Sequence, residues 1–288
     1  MTTFWILQTL NTLQYAALLF LIAAGLSVSF GLMGFVNLAH GALYMLGAFI
    51  GVTLSVQAGF WAALFLAPVT VGAIGLILYL GLLGRVARLG PMPQVLVSFG
   101  LVFIATEIVR ILWGDVPLSI DIPSALRGRL DMLSVSYPLY RLFVIAIGAV
   151  VSLLLWLGVN RTGLGAALRA SVENRTMARA IGIDTDRLFL WVFTLGAALA
   201  GLGGVVAAPI TSASAGMAVS ALVPALIVTV IGGMGSISGT AAGALVVAAI
   251  EVFGAAIWPA ASSVLIYAAL AAALIWRPQG LFKGAVSH

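Results

Sequence analysis

Residues 31–43 read GLMGFVNLAHGAL and interrupt a run that is otherwise almost wholly apolar. A membrane-crossing helix would carry Leu and Val here. Instead this stretch holds three glycines, Asn37 and His40, and the only other histidine is the last residue, His288. Glycine lets a helix open. In lipid, the backbone groups so freed must line a polar cavity or be buried in protein.

The rest of the chain confirms lipid as the solvent. It is 63% hydrophobic and 7% charged, with a mean hydropathy of +1.22. Soluble domains run at about 45–50% apolar and roughly 25% charged, so there are too few polar side chains here to coat a water-soluble fold. The 13 Lys and Arg outnumber the 8 Asp and Glu. They are thinly spread between apolar blocks, which fits membrane orientation and not nucleic-acid binding. Cysteine is absent, which excludes disulfides, thiol chemistry and Cys-ligated metal. The N-terminal MTTFWILQTLNTLQY has no Lys or Arg, unlike the basic start of a cleaved signal peptide, so the first apolar segment is expected to remain as a span.

A span needs about 20 mainly apolar residues. Segments 10–35, 38–56, 60–83, 93–113, 138–159, 188–208, 218–231, 240–258 and 260–276 qualify. The second follows the first with almost no loop, and 218–231 is short. The expected fold is therefore all-α, a polytopic membrane protein with 8–10 transmembrane or half-spanning helices. It forms one transmembrane domain over residues 1–288, with a polar loop at 160–187.

Basic residues gather in three connections: Arg85 and Arg88; Arg161, Arg169, Arg175, Arg179 and Arg187; Arg277 and Lys283. The remaining four, Arg110, Arg127, Arg129 and Arg141, surround a connection that also holds Asp115, Asp121 and Asp131. Placing the three basic connections inside puts the N-terminus outside and the C-terminus inside.

The 160–187 loop, NRTGLGAALRASVENRTMARAIGIDTDR, reads as a short amphipathic helix. Leu164, Leu168 and Val172 recur at helical spacing, with Arg169, Glu173, Arg175 and Arg179 between them. Gly182 suits the helix stop, and Asp184 or Asp186 can cap the next helix. Two readings stay open, a surface helix that solubilises a loop and a helix that docks into a groove on a cytoplasmic partner.

Catalytic signatures are missing. There is no G-x-x-x-x-G-K-[ST], H-E-x-x-H or G-x-S-x-G, and one internal His cannot build a multi-His metal site. Carboxylates within spans are scarce. Glu107 lies three residues before Arg110 and reads as an ion pair, while Glu251 is placed to snorkel toward an interface. Gly196, Ala200, Gly204 and Ala208 form a small-residue stripe of the kind that lets helices approach closely, and Gly239 and Gly243 make a similar pair.

The opening stretch has an echo. GGMGSISGTAAGAL at 232–245 also begins G-x-M-G and also closes on Gly-Ala-Leu. Paired glycine-broken segments in two halves of a membrane chain point to a substrate path. On this internal pseudo-repeat, Asn37, His40, Gly41, Gly232, Gly235 and Ser238 are the candidate path residues. The other reading is that Asn37 and His40 hydrogen-bond between helices and hold the bend.

With GLMGFVNLAHGALYMLGAF, LRASVENRTMARAIGIDTDR running toward GAALAGLGGVVA, VIGGMGSISGTAAGAL and RPQGLF in place, the chain resembles, over nearly its whole length, the LivH-type permease subunits of branched-chain amino acid ABC importers. Asn174 departs from the pattern, which has a second acidic residue after Glu173. The resemblance implies a bacterial inner-membrane permease that is not itself an enzyme. It would import branched-chain or related small amino acids with a second homologous permease, two cytoplasmic ATPases that hold ATP and Mg, and a periplasmic substrate-binding protein. No cofactor would sit in this chain. The segment with Arg169, Glu173, Asn174, Arg175, Arg179 and Gly182 would then couple to the ATPases. Rival readings are an ion-coupled secondary transporter, a channel-like pore, or an ABC permease for urea, short amides or small aromatic acids.

Overall fold

The computed structural model describes residues 2–35, 37–87, 89–132, 135–277 and 280–282. Arg88 and Lys283 of the basic connections lie outside the described residues, as does Val36 of the first glycine-broken stretch.

The elements are, in chain order, α1 (Thr2–Met33), α2 (His40–Leu78), a π-helical turn (Tyr79–Leu83), α3 (Gly84–Val86), α4 (Pro91–Trp113), a small hairpin of β1 (Arg129–Met132) and β2 (Val135–Pro138), α5 (Leu139–Arg161), α6 (Gly163–Glu173), α7 (Arg175–Ala180), α8 (Thr185–Thr211), α9 (Met217–Gly232), α10 (Ile237–Ile257) and α11 (Ser262–Trp276). Among the described residues six helical segments are long and apolar enough to cross a membrane, and α9 and part of α11 are shorter apolar helices.

One of the six, His40–Val86, is 47 residues long. At 1.5 Å per residue it would extend about 70 Å, more than twice the ~30 Å hydrocarbon core. It does not run straight, because Gly59 breaks the helix at φ 84°, ψ 166°. The packing shows that the chain reverses there. Gly47 and Val71 both meet Gly201 of α8, although 24 residues of helix would otherwise separate them by about 36 Å. From that level, Gly51 advances to Val205 while Gly75 retreats to Ala197. One arm therefore runs parallel to α8 and the other antiparallel to it, as the closely spaced segments 38–56 and 60–83 require.

α8 is the centre of the bundle. Its small residues admit neighbours on two sides: Gly196 meets Gly25 of α1, and Gly201 and Gly204 meet the two arms of α2. A Cβ at Gly204 would fall on the Tyr44 carbonyl, and one at Gly25 would lie 2.6 Å from the Gly196 oxygen. Ala200 and Ala208 are fully buried in the same stripe. Elsewhere Gly148 of α5 rests on Ala17 of α1, and Gly243 of α10 lies against Val228 and Gly232 of α9. Leu packs no better than lipid tails in this solvent, so close backbone approach does the associating.

The two similar stretches behave alike. α1 ends at Met33 and the chain turns through Gly34 (φ 61°) before α2. α9 ends at Gly232 and turns through Gly233 (φ 105°) and Gly235 (φ 80°) before α10. The two breaks touch: a Cβ on Gly31 would fall on Gly235, whose N–H is donated to Ser27 Oγ at 3.2 Å. Ser236, and not Ser238, caps α10 by accepting the Gly239 N–H at 3.0 Å.

Substituting Gly204 with Val is expected to abolish assembly of the α2–α8 pair, whereas Gly100→Ala, with nothing within 4 Å of the added carbon, is expected to be neutral. Overpacking costs typically about 1–3 kcal/mol, and more where backbone is struck. The yield of monodisperse protein in detergent and its melting temperature check both.

Candidate functional site

One end of the bundle collects the basic connections. A groove of about 440 Å³ there is walled by Tyr79, Arg85, Arg175, Asp186, Arg187 and Phe189. The C-terminal segment joins this end, with Leu281 and Phe282 N–H donated to the Ile231 and Gly232 carbonyls at 2.8 and 3.2 Å. Arg110, Arg127, Arg129 and Arg141 lie toward the other end, where Arg141 and Tyr137 both donate to Asn11 Oδ1 at 2.9 and 3.2 Å. Glu107 pairs with Arg110 at 2.7 Å, as its i,i+3 spacing suggested, and Asp115 adds a second contact at 3.0 Å.

The polar loop folds into two short helices where the sequence suggested one. Thr162 caps α6 at the Gly165 N–H. Asn174 then breaks the helix and caps α7, its side chain accepting the Met177 N–H at 2.9 Å. Asp184 caps α8, and Gly182, at φ 90°, makes the turn between them. Asn can form such a cap, whereas a glutamate there would not hold the same short geometry. Asp186 then fastens the unit: one carboxylate oxygen takes Arg175 and the other takes Arg179, each at 2.7 Å. Arg175 also stacks over Phe189, 4.8 Å from its ring centre, and Arg169 donates to the Val159 carbonyl. Glu173 and Asn174 stay exposed at the joint.

The residues singled out in the glycine-broken stretches are packed. His40 is 1% exposed, and its Nε2 meets the Ile22 carbonyl at 2.9 Å, holding the start of α2 to the middle of α1. Gly41 lies directly on the Ala218 carbonyl, Gly232 on Gly239 and Gly235 on Gly31, while Ser238 is exposed. Asn37 is 1% exposed, and neither atom of its amide has a hydrogen-bond partner among the described residues.

Two half-open cavities between the helices involve mostly residues that sequence reasoning passed over. The first, about 210 Å³, lies between α1, α2 and α9 and is lined by Tyr15, Tyr44, Ser212, Ser214 and Ser220 among others. The second, about 390 Å³, lies between α9, α10 and α11 and includes Glu251, Ser262 and Tyr267. Ser220 and Pro224 belong to both. Pro224 has no N–H to give the Ser220 carbonyl, so α9 lacks that bond of its ladder where the cavities meet. Ser212, at φ 60° and ψ 150°, is the non-Gly residue with positive φ among those described. Glu251 does not snorkel outward; its Oε2 is buried, and the Tyr15 side chain lies beside its carboxyl group. The signal for all this was faint in sequence, because serines and tyrosines on three separate helices have no common spacing.

Residues 8–274 match the family described as branched-chain amino acid transport system permease component. The chain belongs to that family. Among its relatives, BraD of Pseudomonas aeruginosa, a high-affinity branched-chain amino acid transport system permease protein, is 29% identical over 95% of this chain and 94% of its own. LivH of Escherichia coli is 26% identical over 96% and 95%. LivM of the same organism, also a permease protein of that kind of system, is 30% identical over 91% of this chain and 67% of its own length. This is thus a multi-pass membrane permease, and its polar cavities and its basic end are read as parts of one.

Ser212→Gly should stabilise the permease, since a non-Gly residue at that φ, ψ costs of order 1–3 kcal/mol. A melting temperature raised by a few degrees in detergent would show it.

Proposed function

We propose that the chain is the membrane-spanning subunit of an ATP-driven importer for branched-chain or related small amino acids. It would work with a second, similar permease, two cytoplasmic ATPases carrying ATP and Mg, and a substrate-binding protein outside the bacterial inner membrane. Family membership supports the transport role. The similarity to both LivH and LivM supports pairing with a second permease.

The observation that carries the coupling reading is the clamp at Asp186. It ties α7 to the first turn of α8, and α8 packs against α1 and both arms of α2. A push on Glu173 and Asn174, at the joint of α6 and α7, would be transmitted through α7 to the centre of the bundle, because the clamp leaves α7 little freedom to yield. Residues 160–187 then form the cytoplasmic coupling loop of one transmembrane domain, with Arg169, Glu173, Asn174, Arg175, Arg179 and Gly182 in it. The clustering of Arg85, the coupling loop and Arg277 at one end supports placing that end inside by the positive-inside rule. The N-terminus is then outside. His40 braces α2 against α1 in this reading through the Ile22 carbonyl and stands beside the path without forming its lining.

Asp186→Asn should leave the fold nearly intact, since half-exposed ion pairs contribute at most about 1 kcal/mol. Substrate-stimulated ATP hydrolysis by the assembled transporter in liposomes should fall several-fold. Unchanged stimulation, both here and in the Glu173→Arg, Arg179→Glu double variant, would refute the coupling role. Accumulation driven by an ion gradient without the ATPases would refute the ABC reading.

The absence of cysteine makes topology directly testable. Glu173→Cys should react with a membrane-impermeant maleimide only from the cytoplasmic face, and Ser124→Cys only from outside.

A further inference from the structure

The larger membrane cavity contains one carboxylate and a largely aliphatic wall. Val219, Val223 and Ile227 of α9 line one side and Ile266 of α11 the other, with Glu251 of α10 among them. The Tyr15 side chain lies beside that carboxyl group. One oxygen, Oε2, is buried and has no hydrogen-bond partner among the described residues. A carboxyl oxygen buried this way without a donor is costly in a membrane and would be met by a cationic donor. Neither of the two cavities has a Lys, Arg or His in its lining, so no side chain there supplies the charge.

We propose that Glu251, positioned by Tyr15, is a recognition point for the primary ammonium group of a small amphipathic substrate whose branched aliphatic part packs on the Val219–Ile266 wall. The substrate's ammonium donates to the free oxygen. The cavity, at about 390 Å³, has room for a molecule of that class, and the hydroxyls of Ser220 and Ser262 stand at the polar end. Ser220 also opens to the adjoining cavity, which gives the substrate a hydroxyl-lined continuation toward Ser212 and Ser214. This assigns a substrate-contacting role within the importer proposed above and rests on that reading for the identity of the substrate, though not for the ammonium chemistry.

The experiment uses the assembled transporter in liposomes and a hydrophobic carbodiimide, which modifies membrane-embedded carboxyl groups and is read by peptide mass at Glu251. Leucine and isopentylamine should each slow modification at Glu251 at least fivefold, while 4-methylpentanoate, which lacks the amine, should not. Equal protection by the carboxylate analogue, or no protection by the amine, overturns the proposal, as does a Glu251 that the reagent never reaches.

ATP-driven leucine uptake is measured alongside. In Glu251→Gln uptake should fall at least tenfold, with Glu251→Asp recovering part of it and Tyr15→Phe lying between. Uptake by the Glu251→Gln variant at the wild-type rate overturns the proposal. Failure of the wild-type transporter to take up leucine while isopentylamine still protects Glu251 would refute the substrate assignment and leave the ammonium site standing.

Discussion

The fold depends on how closely α8 can approach its neighbours. In water, helices associate because burying side chains releases solvent; in lipid that drive vanishes, and contact between backbones must replace it. Gly196, Gly201 and Gly204 provide the room, and α1 and both arms of α2 fill it through Gly25, Gly47 and Val71. The rest hangs on this three-way contact. It sets the level at which α2 reverses, it brings His40 to the Ile22 carbonyl, and it joins the clamped polar segment to the middle of the bundle.

The same constraint governs where polar groups are found. A free carbonyl or an uncapped turn is tolerated at membrane depth only against protein or a cavity. The glycine turns after α1 and α9 satisfy it by packing on one another at Gly31 and Gly235. Ser220 and Pro224 satisfy it by opening onto two cavities. Both strategies use residues that break helices, yet only the second leaves polar surface accessible. That difference separates a bend that holds the fold from a polar surface open to a cavity.

Much of the architecture was legible in the chain. The nine apolar segments appear as helices or helix arms close to their expected places, because hydropathy over about 20 residues follows directly from bilayer thickness. The stripe on α8 and the ion pair of Glu107 with Arg110 followed from helical spacing, and the cap of α8 fell on Asp184, one of the two candidates. The helix break at Asn174 was less legible, since the amphipathic pattern runs on across it and the cap that decides it is a single side-chain contact. Glu251 was misjudged because its position along α10 says nothing about Tyr15, which stands 236 residues earlier in the numbering on a helix that packs against it.

By itself the sequence determined the solvent, the approximate limits of the apolar segments and the polar segment between α5 and α8, and its motifs carried the kinship of the chain with branched-chain amino acid permeases. The first three are properties of composition and of local periodicity, and none needs knowledge of neighbours. Only the tertiary structure decided that α2 is two antiparallel arms, that Asp186 joins two arginines, and that hydroxyls from α8, α9 and the following turns face Tyr15 and Glu251. Each of those depends on which residues of distant helices come to the same level. Helix register across the bundle is set by the summed close contacts of many glycines and alanines, a quantity that no single stretch of sequence contains.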